Sequence, residues 1–142
     1  IADQKEIELI QEDGDCTVTG SYLLLYRAVY NLVENAIKYN HPGGKVTVKI
    51  SQKKAVSDPS AHSQPTDCAF VEVSDTGIGI SPEFQKKIFA PFFRVDKSRS
   101  RAMGGAGLGL ALVNEIARQH SGQVKVLESS EKGSTIALIL PC

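Results

Sequence analysis

Three clusters in the sequence carry groups suited to holding a phosphate. In NLVENAIKYN (31–40), Asn31, Asn35 and Lys38 recur at i, i+4 and i+7, which on a helix confines them to an arc of about 60°. Two carboxamides and an ammonium on one line offer a neutral oxygen ligand to a hard cation and a point charge to a phosphate. A solvated polar face is the plainer reading of the same residues. In MGGAGLGLALV (103–113), Gly104, Gly105, Gly107 and Gly109 lead into an apolar helix. Backbone without β-carbons approaches a ligand closely, and the free N–H groups and dipole of a helix start favour an anion. The Gly-Lys-Ser/Thr of a Walker loop is absent, and an irregular loop stands where a dinucleotide fold needs a strand. In FAPFFRVDKSRSR (89–101), Arg94, Lys97, Arg99 and Arg101 stand against the single acid Asp96, and guanidinium forks suit phosphate oxygens. A nucleic-acid patch and a solvated basic loop are the alternatives there. Phe89, Phe92 and Phe93 cluster round Pro91 and read as the anchor of a lid that closes over a phosphate chain.

VSDTGIGI (73–80) admits three readings. Asp75-Thr76-Gly77 is half of an aspartic-protease site, whose chemistry needs a second, paired aspartate. Asp75 followed by Gly77 and Gly79 also makes the floor of a nucleotide pocket. An ionised carboxylate only accepts hydrogen bonds, so it reads an exocyclic amino group such as adenine's, while the glycines let a flat ring come close. A tight turn leaving a strand is the third reading.

These groups need elements to position them. Gly20-Ser21 opens a helix running to about Tyr39, with Leu25, Val29, Leu32, Val33 and Ala36 in one apolar stripe away from the polar line. His41-Pro42-Gly43-Gly44 stops it. Residues 45–50 alternate as a strand and 69–73 form its antiparallel partner, leaving 51–67 as a long polar hairpin loop. Strands are also expected at 6–10, 16–19, 123–128 and 134–140, and a helix from about Leu108 to His120. Ser81-Pro82-Glu83 begins a short helix with serine as cap and proline at its first position. The fold class is α+β: a two-layer α/β sandwich, with a mixed sheet of about five strands, three main helices on one face and a lid.

Composition narrows the function classes. The 142 residues suit a single domain, 1–142. Sixteen basic and sixteen acidic side chains cancel, so no global field draws the chain to nucleic acid or an anionic membrane. Cys16, Cys68 and Cys142 lack metal-ligand spacing and suit reduced thiols in the cytoplasm. The chain opens at Ile1 without methionine and reads as a domain excised from a longer protein.

Taken in order, the clusters resemble the catalytic domain of sensor histidine kinases, in the gyrase/chaperone/histidine kinase/MutL ATPase superfamily. NLVENAIKYN is similar to its N box, DTGIGI (75–80) to the G1 box, FAPFFRV (89–95) to the F box, GGAGLGL (104–110) to the G2 box and GST (133–135) to the G3 element. The resemblance spans residues 6–141. It implies that Asn35 ligates Mg²⁺ with Asn31 beside it, and that Lys38 and Tyr39 contact the phosphate and nucleotide region. It implies that Asp75 binds the adenine amino group, with Gly77, Gly79 and Ile80 shaping the pocket and Thr135 near the ring. Arg94, Lys97, Arg99 and Arg101 are then lid cations, and Gly105, Gly107, Leu108, Gly109 and Leu110 close the lid over phosphate. The ATPase branches place a glutamate where this chain has Asn31, which cannot act as a base. Phosphoryl transfer is thus expected over hydrolysis, with Glu34 the remaining candidate acid or base. Ala106 departs from the usual threonine of the G2 box. None of His41, His62 and His120 stands in the acceptor pattern, a histidine followed by an acid, so the acceptor is expected upstream of Ile1. The implied cofactors are ATP and Mg²⁺. The implied partners are ATP or ADP, the dimerisation and phosphoacceptor domain of a homodimeric parent, and a response regulator. A monomeric fragment without nucleic-acid binding is expected. A serine kinase or anti-sigma factor of the same fold, or a domain that binds nucleotide without transfer, are the alternatives.

Overall fold

A computed structural model of the chain describes residues 8–12, 18, 20–57, 64–91 and 109–142. Five strands form one sheet in the order β1-β2-β3-β5-β4, comprising β1 (Glu8–Glu12), β2 (Lys45–Ala55), β3 (Thr66–Asp75), β4 (Gln123–Ser130) and β5 (Gly133–Pro141). β1 runs parallel to β2; the other neighbours are antiparallel. The sheet is therefore mixed, as expected. Of the strand expected at 6–10, residues 8–10 lie in β1, which continues to Glu12; residues 6 and 7 lie outside the described residues. Of the strand expected at 16–19, only Val18 is among the described residues, and it belongs to no strand.

α1 (Tyr22–Lys38) begins at Ser21, whose hydroxyl accepts the Leu24 amide hydrogen at 3.3 Å. This satisfies one of the orphan donors of a helix start. Its apolar stripe buries Ala28, Leu32, Ala36 and Ile37, with Leu25, Val29 and Val33 half-buried at the margin. α2 (Gly109–Gln119) buries Val113, Ile116 and Ala117. Both helices press onto the sheet face lined by Val46, Val73, Val124, Ile136 and Leu138, giving the α+β two-layer sandwich. The third helical segment is a pair of 3-10 turns, Pro82–Phe84 and Lys87–Phe89. Pro82 takes the first position as expected, but the Ser81 side chain makes no capping bond.

β2 and β3 extend beyond their alternating cores. Pairing continues from Val46↔Asp75 to Ala55↔Thr66, which shortens the connecting loop to 56–65. The two lysines of this extension, Lys53 and Lys54, are held by cross-strand partners. Lys53 meets Glu72 at 3.1 Å and lies over the Phe70 ring, and Lys54 meets Asp67 at 3.0 Å. On the sheet face away from the helices, which Lys53 and Glu72 share, Cys68, Phe70, Ala137 and Ile139 form a second small buried cluster.

Candidate functional site

Strand alternation decides which side chains reach the site. β3 turns Val71, Val73 and Asp75 to the helix-covered face, so Asp75 ends the strand beside the C-terminal end of α1. Its Oδ1 accepts the Gly77 amide hydrogen at 2.9 Å and the Ser134 amide hydrogen at 3.3 Å; the Ser134 hydroxyl donates to Oδ2 at 3.4 Å. Burial pushes the Asp75 carboxyl above its ordinary value, and the bonds from Gly77 and Ser134 pull the other way. The result is a fixed carboxylate with acceptor capacity left over.

The turn after Asp75 is fastened on both sides. The Ile78 amide donates to the Tyr39 carbonyl at 3.3 Å. Gly77 lies so close to that carbonyl that a β-carbon there would collide with it. Gly79 has φ +76° and packs on the Ser130 backbone, a conformation and a spacing that favour glycine. Ile80 is half-buried; its amide donates to the Ser129 hydroxyl at 2.6 Å, and its carbonyl accepts from Gln85 Nε2 at 3.1 Å.

Along α1, Asn31, Glu34, Asn35, Lys38 and Tyr39 are all partly buried. Asn31 Nδ2 donates to the Gly109 carbonyl at 3.5 Å, which joins the carboxamide line to the end of the glycine run. Gly109 is the first residue of α2, and Leu110 packs against the core. Glu34 and Lys38 form an i,i+4 ion pair at 3.6 Å. The expected lid residues Arg94, Lys97, Arg99, Arg101, Gly105, Gly107 and Leu108 lie outside the described residues.

The histidine kinase-, DNA gyrase B- and HSP90-like ATPase family model matches residues 20–142. The chain belongs to that family. It is 40% identical over 141 residues to the sensor-like histidine kinase SenX3 of Mycobacterium tuberculosis, covering 99% of this chain and 32% of the relative. It is also 40% identical over 128 residues to the sensor histidine kinase RppB of a Synechocystis species, covering 90% of this chain and 26% of the relative. The chain thus spans about a third or less of these curated relatives' length. Among solved structures, the mycobacterial sensor histidine kinase MprB superposes with a TM-score of 0.79 at 30% identity, over 99% of this chain and 87% of the other. Full-length ShkA, solved in complex with AMPPNP, superposes with 0.77 at 25% identity, over 99% of this chain and 26% of the other. No described helix is long and apolar enough to cross a membrane.

On β5, Ser134 rather than Thr135 stands beside the Asp75 carboxylate. Thr135 pairs with Ser74 across β3 and β5, and their hydroxyls share a hydrogen bond of 2.8 Å. That register turns Thr135 to the sheet face opposite Asp75, because side chains alternate along a strand. Its neighbour Ser134 is the residue that touches the carboxylate. The signal was present in the parity of Ile136, Leu138 and Leu140, which line the helix-side core. β5 is buried from Ser134 to Leu140, so its apolar run hid the alternation.

Proposed function

We propose that the chain is the Mg²⁺-ATP-binding catalytic domain of a two-component sensor kinase, passing the ATP γ-phosphoryl group to a histidine on a dimerisation domain outside this sequence. What carries the reading is Asp75: a partly desolvated carboxylate, oriented by Gly77 and Ser134 and followed by two close-approach glycines. Such an acceptor suits an exocyclic amino group on a flat ring, which is adenine's recognition edge. The pocket chemistry fits a nucleotide, and the relatives' names and the AMPPNP bound to ShkA point the same way.

Asn35 would hold the metal through its amide oxygen, with Asn31 beside it and Lys38 offering a charge to phosphate. The ion supplies neutralisation of developing phosphate charge. Asn31, whose carboxamide cannot accept a proton, leaves water unactivated, which favours a protein acceptor over hydrolysis. Glu34, tied to Lys38, adjusts that cation's position. The lid cations and glycines would complete phosphate binding, and a response regulator would receive the phosphoryl group downstream. The parent would act as a homodimer, with this domain on the cytoplasmic side. Titration calorimetry with a non-hydrolysable ATP analogue tests this. Binding should strengthen with Mg²⁺, and Asn35→Ala should abolish the Mg²⁺-dependent part. An Asn35→Ala chain that keeps the full metal effect sinks the metal assignment.

A further inference from the structure

Beside the Asp75 turn lies a polar cluster that the nucleotide reading leaves unused. Asn40 follows the last turn of α1 and is 4% exposed, a placement that a carboxamide tolerates only when its groups are paired. All its bonds run to the segments flanking the site. Its Oδ1 accepts the His41 amide hydrogen at 2.8 Å and the Thr76 hydroxyl hydrogen at 3.2 Å, while Nδ2 donates to the Lys45 carbonyl at 2.9 Å. Thr76 closes the ring: its hydroxyl accepts the Lys45 amide hydrogen at 2.9 Å, and its own amide donates to the Lys45 carbonyl at 3.2 Å. The amide orientation is settled by these partners, since a flipped carboxamide would set donor against donor and oxygen against oxygen. Gly44 packs directly against both side chains.

We propose that Asn40 is a positioning residue for adenine recognition, clasping through Thr76 the Asp75–Gly77 turn to the C-terminal end of α1. The inference rests on the nucleotide reading above. Thr76 is the residue between the carboxylate and the close-approach glycine, so any rotation of its peptide moves Asp75 and Gly77 together. Asn40 adjoins Lys38 and Tyr39 at the helix end. The clasp therefore sets the separation between the side of the site that offers charge to phosphate and the side that reads the base. Neither residue needs to touch the nucleotide.

The test is nucleotide affinity of the 142-residue chain, measured by calorimetry with ADP and GDP well below each variant's Tm. Asn40→Ala and Thr76→Val should each weaken ADP roughly tenfold, about one hydrogen bond's worth, and lower the ADP-over-GDP preference. The double variant should lose no more than the larger single, because both changes open one clasp. Thr76→Ser, which keeps the hydroxyl, should restore affinity to within about twofold. Val124→Ala, a core change on β4, is the control: a lower Tm with unaltered ADP affinity. A folded Thr76→Val chain that binds ADP like the parent overturns the proposal, as does a Val124→Ala chain that loses as much affinity. If Asn40→Ala does not fold, Thr76→Val decides alone. A parent chain blind to ADP brings down the nucleotide reading and this proposal with it; a binding parent with indifferent variants brings down only the clasp.

Discussion

The two ends of α1 are held in opposite ways. At its C-terminal end, a nearly buried carboxamide, a threonine hydroxyl and four backbone groups close a polar ring against the Asp75 turn. At its N-terminal end, Tyr22, Leu23 and Tyr26 are 79%, 76% and 61% exposed. Tyr22, Tyr26 and Tyr30 stack one turn apart, with ring centroids 6.3 and 6.4 Å apart. The tether there is His120 at the foot of α2, whose Nε2 accepts the Ser21 amide hydrogen at 3.0 Å while Nδ1 donates to the Ile116 carbonyl at 2.8 Å. Polar burial costs desolvation and is repaid only by complete pairing. Among the described residues, the chain places it at the end where geometry must be fixed, and the other end is tied by the His120 imidazole.

Asp75→Asn should sharpen this contrast most. The substituted amide oxygen can still accept from Gly77 and Ser134, but it brings an N–H₂ where adenine offers one. Affinity for ADP should fall roughly 10- to 100-fold, as for losing a hydrogen bond to a charged group. Ligand-free stability should move the other way. The folded carboxyl sits above its ordinary value of 3.8, so the folded state favours the protonated acid. That contribution is fully present below 3.8, is lost as pH rises through the folded value, and stays as a fixed cost at neutral pH. Thermal melts should show Asp75→Asn more stable than the parent at pH 7, with the gain gone below the carboxyl's ordinary value. A gain that persists there contradicts a desolvation cost.

His120→Ala should come next, at about 1–2 kcal/mol in urea unfolding for two partly exposed bonds, with ADP affinity within about twofold. A large affinity loss would show the two ends of α1 to be coupled through the helix and erase the distinction. Tyr26→Ser should do least, within about 0.5 kcal/mol, as surface changes generally do. A loss well above that would mean the tyrosine ladder is structural.

Legibility in the sequence followed the same division. α1 could be read because one apolar stripe and a serine cap specify it locally, and the β2–β3 pair because its ends alternate. At the Asp75 turn, an acid followed by spaced glycines leaves a protease half-site, a nucleotide floor and a plain turn open, and the choice among them rests on the distant clusters. Ser134 and the Asn40–Thr76 clasp were not found. Each depends on a partner 59 or 36 positions away, and no local pattern encodes a pairing register between distant strands. The reach of β2 to Ala55 was hidden for a related reason, because its last residues are polar and held by partners on β3.

That separation along the chain has a consequence for biosynthesis. Residues 20–91 carry α1, β2, β3 and the Asp75 turn, yet without β5 the carboxylate lacks both Ser134 contacts, and β3 lacks the neighbour that covers its other edge. Only when the β4–β5 hairpin inserts does the turn acquire its second wall. A chain cut before β4 should therefore lack the second wall of the Asp75 turn, and should bind ADP far more weakly than the parent.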